Sequence, residues 1–288
     1  MTPPADVRGI GASSAESHRA ETSACYGTRM RRRQVVEIED LPWCPRAIRD
    51  GGTDWLGFMA NATKGFDVVA PKIRAAMDAT KTTSVVDLCS GGGGPWLTLE
   101  RELARSGPVR VELTDLYPNL GALSAIHERS GGRCGYRSTS IDATDVPAEL
   151  DGVRTMFSCF HHFPPDRAAM ILADAVRKRR AIAVFEAVDR RALPILFMPV
   201  QAAALFVMTP FVRPFRWSRL LFTYALPLIP GLVLFDGVMS MLRIYLSDEL
   251  EELVSRVPGS ETFSWDIGTT RVGPLPVRIT HLVGVPRA

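Results

Sequence analysis

Four consecutive glycines, Gly91 to Gly94, follow an apolar run that ends in Asp87, and Pro95 closes the stretch "VVDLCSGGGGPW". Bare backbone of this kind lets a ligand approach the main chain, permits positive φ and aims N–H groups outward. Two further acids recur at matching places. Asp115 lies about 20 residues beyond the glycines, where a carboxylate accepts the hydroxyls of a ribose. Asp142 closes the next strand-like run, within reach of an adenine amino group. The spacing implies a seat for an adenosyl cofactor. A second group, "CFHHF", places His161 and His162 after a later strand. An imidazole there could serve as a general base, worth about 10²–10⁴-fold if the acceptor is a hydroxyl. His161 is the first candidate, with a structural imidazole that caps backbone groups as the alternative. Glu186 and Asp189, after the following strand, are the other polar groups expected to face the crevice.

These residues need a scaffold, and the pattern supplies one. "TSVVDLC" reads as a short buried strand and "PWLTLERELARSG" as a helix that opens at Pro95 and stops at Gly107. "PVRVELTDL", "PNLGALSAIHERSGG" and "GYRSTSIDATD" continue as strand, helix and a weaker strand that ends at Asp142. "VRTMFSCFHHF", "PPDRAAMILADAVRKRR" and "AIAVFEAV" read as buried strand, helix and buried strand. Alternation of this type means a mainly parallel sheet covered on both faces. The end of the chain differs. "SDELEELVSRVPG" reads as a surface helix with Ser247 as its N-cap, and "ETFSWDIGTTR" and "PVRITHLVGVPR" as an antiparallel hairpin at the sheet edge.

Composition narrows the class. The 288 residues suffice for one large α/β domain with an insertion, and the formal charge is only +3. Basic residues cluster at Arg29 to Arg33 and Arg177 to Arg180, without the broad basic stripe of a nucleic-acid binder. Five cysteines (Cys25, Cys44, Cys89, Cys134 and Cys159) form no C-x-x-C pair. That argues against a zinc centre or a disulfide framework and suits a reducing cytosol. The expected division is a flexible tail over 1–35, a helical cap over 36–80, a cofactor-binding core over 81–191, an apolar helical insertion over 192–246, and a last helix with the hairpin over 247–288.

The stretch "VVDLCSGGGGP…ELTDLYPN…SIDATD…SCFHHFPP" resembles the class I S-adenosylmethionine-dependent methyltransferases, over roughly 82–190 and the hairpin near 261–287. The resemblance implies a Rossmann-like α/β fold, with a seven-stranded, mainly parallel sheet and a terminal antiparallel pair. It implies S-adenosyl-L-methionine as cofactor. Asp87 would orient the methionine amino group, Gly91 and Gly93 would pass beneath the cofactor, and Asp115 would hold the ribose. Asp142 and Ala143 would frame the adenine and Phe160 would lie near the methionine portion, with Cys89 and Leu116 completing the set. Cys89 departs from the family pattern, which has its first glycine there. A nicotinamide dehydrogenase is the nearest enzyme rival, but no tyrosine here has a lysine four residues on, and the hairpin counts against it.

Residues 192–246 are the second unusual feature. "ALPILFMPVQAAALFVMTPFV" carries no charge over a length that could cross a bilayer. "RPFRWSR" and a second apolar run follow, and Pro194, Pro199, Pro210, Pro227 and Pro230 interrupt both. The favoured expectation is an apolar cap over the acceptor entrance in a cytoplasmic protein, with a cap whose outer face rests on a membrane surface as the second reading and a dimer interface as the plain alternative. Spanning is the lesser reading. The expected acceptor is a hydrophobic small molecule or lipid-like compound, as in secondary metabolism. A non-catalytic, membrane-associated scaffold on the same fold is the alternative from another class.

Overall fold

The computed structural model describes residues 31–187, 190, 198–273 and 277–287. Most of the expected tail, together with Asp189 and residues 191–197, lies outside the described residues. Seven strands form one sheet: β1 (Ser84–Asp87), β2 (Arg110–Leu113), β3 (Cys134–Tyr136), β4 (Val153–Phe157), β5 (Ile182–Glu186), β6 (Phe263–Val272) and β7 (Val277–Pro286). Their order is β3-β2-β1-β4-β5-β7-β6. Strands β1 to β5 run parallel, and β7 inserts antiparallel between β5 and β6. The central strands β1, β4 and β5 are buried along almost their whole length, which is why they read as continuous apolar runs rather than as alternating ones.

Helices α1 (Arg46–Thr63), α2 (Ala70–Ala79), α3 (Trp96–Ala104), α4 (Leu120–Arg129) and α5 (Pro165–Arg177) precede β5. Beyond it come α6 (Met198–Met208), α7 (Trp217–Leu220) running into a π turn (Leu221–Ala225), α8 (Leu228–Arg243) and α9 (Ser247–Ser255). Each face of the sheet has its own core. One gathers Ile73 and Met77 of α2 with Trp96, Leu99 and Phe185, and the other gathers Val86, Met156, Ile171, Leu172 and Phe263.

Three local expectations change. The third strand stops at Tyr136, because the polar stretch 137–140 has no apolar face to bury at the sheet edge, so Asp142 sits in a loop. The N-cap of α9 is Leu246 rather than Ser247. Its backbone N–H is taken by Glu249 across the first turn, so Ser247 becomes the first helical residue. Order also begins before residue 36: Arg32 stacks on the Tyr245 ring at 3.9 Å and donates to the Phe163 carbonyl, and Arg33 N–H bonds Leu242.

The region 36–80 divides between two layers. Helix α2 belongs to the sheet, whereas α1 shares a third core with the insertion through Ile48, Trp55, Leu205, Val212, Ile229 and Leu232. The basic hairpin turns inward instead of facing outward. Arg219 Nη1 and Arg216 Nε lie 2.7 Å and 3.0 Å from Asp54 Oδ2, on a carboxylate that is fully buried. Asn119, at the start of α4, donates to Asp54 Oδ1 at 3.1 Å and accepts from Arg216 at 2.8 Å. One carboxylate thus joins α1, α7 and α4.

Among the described residues no single helix is long and apolar enough to cross a membrane. Only Trp217–Ala225 and Leu228–Arg243 taken together reach that length, across an 80° bend. The outer face of these helices nevertheless exposes Val207, Phe211, Trp217, Leu226 and Phe235.

Removing the Asp54 carboxylate leaves the buried Arg219 guanidinium without its counter-ion and Arg216 with only the more distant Asp50. Asp54→Ala is therefore expected to cost ~3–5 kcal/mol of unfolding free energy, measured by chemical denaturation, and more than Asp50→Ala on the same helix.

Candidate functional site

The turn after β1 is strained where glycine would relieve it. Cys89 sits at φ +57°, the left-handed region that a glycine at this position would enter freely. Gly91, Gly93 and Gly94 also have positive φ, at +50°, +92° and +51°. The four glycines divide their work. A Cβ on Gly92 would stand 2.3 Å from the Thr53 carbonyl of α1, and one on Gly93 would stand 1.8 Å from Ile126 Cδ1 of α4. These two are bare because helices press on the turn. Gly57 of α1 completes the contact, since its own Cβ would meet the Gly92 carbonyl at 2.9 Å. A Cβ on Gly91 would meet only ordinary contacts with Thr53, at 3.7 Å. Asn61 fixes the far end, donating to the Gly94 carbonyl at 2.7 Å and accepting from Thr98 N–H at 3.1 Å. Sequence reasoning missed Thr53, Gly57 and Asn61. The only trace was the four-residue step from Gly57 to Asn61, which puts both on one helical face.

The strand-end acids have different surroundings. Asp87 is 1% exposed and lies beneath the turn, with its oxygens taken by Thr155 Oγ1 and Ser90 Oγ, each at 2.7 Å. Burial pushes its carboxyl up to about 7, against the lowering effect of those hydroxyls. It braces the turn and does not open onto the crevice. Asp115 accepts from the N–H groups of Gly91 and Tyr117, each at 2.8 Å, which ties the end of β2 to the turn. Each of its oxygens keeps a lone pair for another donor. Leu116 beside it is 39% exposed, so an apolar surface lies open next to that carboxylate. Asp142 folds onto its own loop, accepting from Thr144 N–H and Oγ1 at 2.8 and 2.7 Å, with Arg167 at 3.4 Å.

Two expected cofactor contacts point elsewhere. Phe160 is fully buried against Tyr245, because the 3₁₀ turn Phe160–His162 directs its ring into the core. Ala143 is buried in that same core. Cys89 is half-buried, and the buried Cys159 thiol, which lies 3.8 Å from the Leu88 carbonyl, is raised by the neighbouring Cys89 thiol and by burial.

The histidines do not face an open crevice either. His161 is 2% exposed. Its Nδ1 is 2.8 Å from Glu186 Oε2, its backbone N–H donates to Glu186 Oε1 at 3.0 Å, and its Nε2 faces Glu37 Oε1 at 3.7 Å. His161 and Glu186 therefore act on one another, and neither reaches a substrate in this arrangement. The segment 37–40, expected only as the start of the helical cap, covers them. His162 Nδ1 lies 2.9 Å from Asp40 Oδ1. Burial lowers the His162 ring, but the hydrogen bond to Asp40 and the charges of Glu37 and Glu39 outweigh it and lift it to about 10. Arg243 of α8 closes the cluster, bonding Asp40 and the carbonyls of His161 and His162. A cavity of about 220 Å³ lies on the helical side of the glycine turn, lined by Gly57, Asn61, Gly92, Leu97 and Ile126 with Arg101 at its edge.

The strand order with its antiparallel β7 is the topology of the class I S-adenosylmethionine-dependent methyltransferases. No protein-family model matches the chain, and no curated protein matches it in sequence. Solved structures similar to it include the mitomycin 7-O-methyltransferase MmcR, at 17% identity and TM-score 0.43, over 77% of this chain and 54% of that one. The plantazolicin methyltransferase BpumL in complex with SAH is 10% identical with TM-score 0.47, over 83% and 95%. The O-methyltransferase NcsB1 of neocarzinostatin biosynthesis, solved with S-adenosylmethionine and 2-hydroxy-5-methyl naphthoic acid, is 17% identical with TM-score 0.44, over 80% and 56%. The chain thus spans little more than half the length of the first of these.

Asp87 generates a pH prediction. Its folded-state value stands above the ordinary 3.8, so the folded protein holds this proton more tightly than the unfolded chain. Its contribution to stability is complete below about 4 and is lost as pH rises through about 7. Asp87→Asn should flatten that fall. Unfolding free energies of both proteins across this range give the difference curve, and parallel curves would refute the assignment.

Proposed function

We propose that the protein is an S-adenosylmethionine-dependent methyltransferase acting on a hydrophobic small-molecule or lipid-like acceptor. The observation that carries this reading is Asp115, held by Gly91 N–H at the head of the glycine turn, with exposed Leu116 beside it and a sheet order of the methyltransferase type around it.

These residues fit an adenosyl group. Gly91 presents backbone without a crowding neighbour, Asp115 has acceptor capacity for a ribose diol, and Leu116 offers an apolar face for a purine. The cofactor, when bound, supplies an electrophilic methyl group on a sulfonium. The chain's own part is then to align the acceptor and exclude water, and alignment can contribute up to roughly 7–11 kcal/mol in favourable cases. Helices α1 and α6–α8 suit that part. They form one apolar subdomain through Trp55, Leu205, Ile229 and Leu232, and α8 runs down to the turn after β4 at the carboxyl edge of the sheet. His161 serves this arrangement by position: locked between Glu186 and Glu37, it holds the end of β4 against the cap.

The exposed apolar face of α6–α8, with Trp217 78% exposed at its edge, supports peripheral contact with a lipid surface, which would also present a lipophilic acceptor to the cap. Vesicle co-sedimentation checks this: the wild type should pellet with anionic vesicles, and Trp217→Glu with Val207→Glu should stay in the supernatant. Failure of the wild type to pellet removes the membrane contact.

Calorimetric titration with S-adenosylhomocysteine, with NAD in parallel, tests the cofactor. The expected result is micromolar binding of S-adenosylhomocysteine alone, weakened by Asp115→Ala about ten- to a hundredfold through loss of ~1.5–3 kcal/mol of charge-assisted hydrogen bonding. Binding of neither compound would favour the non-catalytic scaffold.

A further inference from the structure

Glu37, His161 and His162 converge where β4 and β5 end, and we propose that they form a binding site for one divalent metal ion of the zinc class. The group has the dimensions of a metal site. His161 Nε2 is 3.7 Å from Glu37 Oε1, and His162 Nδ1 is 3.5 Å from Glu37 Oε2. Both gaps are too long for hydrogen bonds. Atoms that each lie about 2.0–2.2 Å from one tetrahedral ion stand roughly 3.3–3.6 Å apart. The three side chains can present one ligand atom apiece within 4.8 Å of one another.

A second observation points to a ligand. Glu37 is fully buried and His161 is 2% exposed, yet both carboxylate oxygens of Glu37 and Nε2 of His161 make no hydrogen bond. Orphaned buried polar atoms of this kind cost free energy unless something occupies the space between them. Arg243 Nη1 stands 3.2 Å from Glu37 Oε1, so one cation is already present. That guanidinium also bonds Asp40 and two carbonyls, while Glu39 lies beside His162 and Glu186 behind His161.

His161 is also oriented as a ligand: Nδ1 is hydrogen-bonded to Glu186, which turns Nε2 toward Glu37, whereas His162 Nδ1 stands beside Glu37 but is at present held by Asp40. A carboxylate on the nitrogen opposite the metal is the usual outer support of a histidine ligand. Two nitrogens and one carboxylate suit zinc and its neighbours rather than calcium or magnesium. The ion enters past His162, whose side chain is 21% exposed, displacing the His162 Nδ1 proton now shared with Asp40 and releasing it to solvent. Bound there, it clamps the segment ahead of α1 to the turn after β4. The inference does not depend on the methyltransferase reading.

The test uses the full-length protein stripped with chelator, dialysed against Zn²⁺ or Co²⁺ and measured by elemental analysis and visible absorption. We expect about one equivalent of metal, a Co²⁺ spectrum of low coordination number and a zinc-dependent rise in melting temperature. Glu37→Gln and His162→Gln should each weaken binding by about tenfold or more, while His127→Gln in α4 keeps it. If Glu37→Gln does not fold, the more exposed His162→Gln and the wild-type Co²⁺ spectrum decide. Retention of less than about a tenth of an equivalent by the wild type, or wild-type affinity in the folded His162→Gln variant, overturns the proposal.

Discussion

A buried carboxylate ties the first helix of this molecule to the insertion after β5. Asp54 sits on α1, before the sheet begins, and its arginine partners sit in the insertion after β5. Burial raises the Asp54 carboxyl despite both arginines, so the charge is kept only while they stay in place. Asn119 extends the connection to α4, which presses Ile126 onto Gly93. The glycine turn is thus gripped from two sides by helices whose positions depend on one ion cluster. Asp236 and Arg243 of α8 add a second set of directional bonds, to the segment 37–40, and together these fix the orientation of an apolar insertion.

The main features of the fold were legible because the central strands are buried on both faces and their apolar runs are uninterrupted. β1, β4 and β5 needed no partner information to be recognised. β3 was overextended because its continuation past Tyr136 has strand-like residue types, while its place at the sheet edge, which sequence does not reveal, gives those residues nothing to pack against. The inward turn of Arg216 and Arg219 was likewise hidden. Their partner Asp54 lies more than 160 residues away along the chain, and a basic hairpin between apolar runs looks the same whether it faces lipid or a buried acid.

The candidate site was legible in its residue types and less so in their directions. Asp115 and Leu116 stand open at the end of β2. Phe160, Ala143 and Asp87 lie close in sequence to that crevice but turn into the core, because a side chain's direction at a strand end depends on local φ and ψ that spacing does not encode. The glycines carried a double signal. Four in a row suggested ligand approach, yet two of them answer to α1 and α4, and only the three-dimensional contacts separate these causes.

The two histidines show how a cover changes chemistry. Without residues 37–40, His161 and His162 would be a pair of imidazoles at the mouth of an α/β sheet, well placed to take a proton from an acceptor. With that segment present, every ring nitrogen faces a carboxylate, and Arg243 seals the group from the side of α8. Groups so enclosed hold charge and position backbone, with only the edge of His162 open to solvent. The cluster's contribution is to keep the apolar subdomain seated on the strand ends.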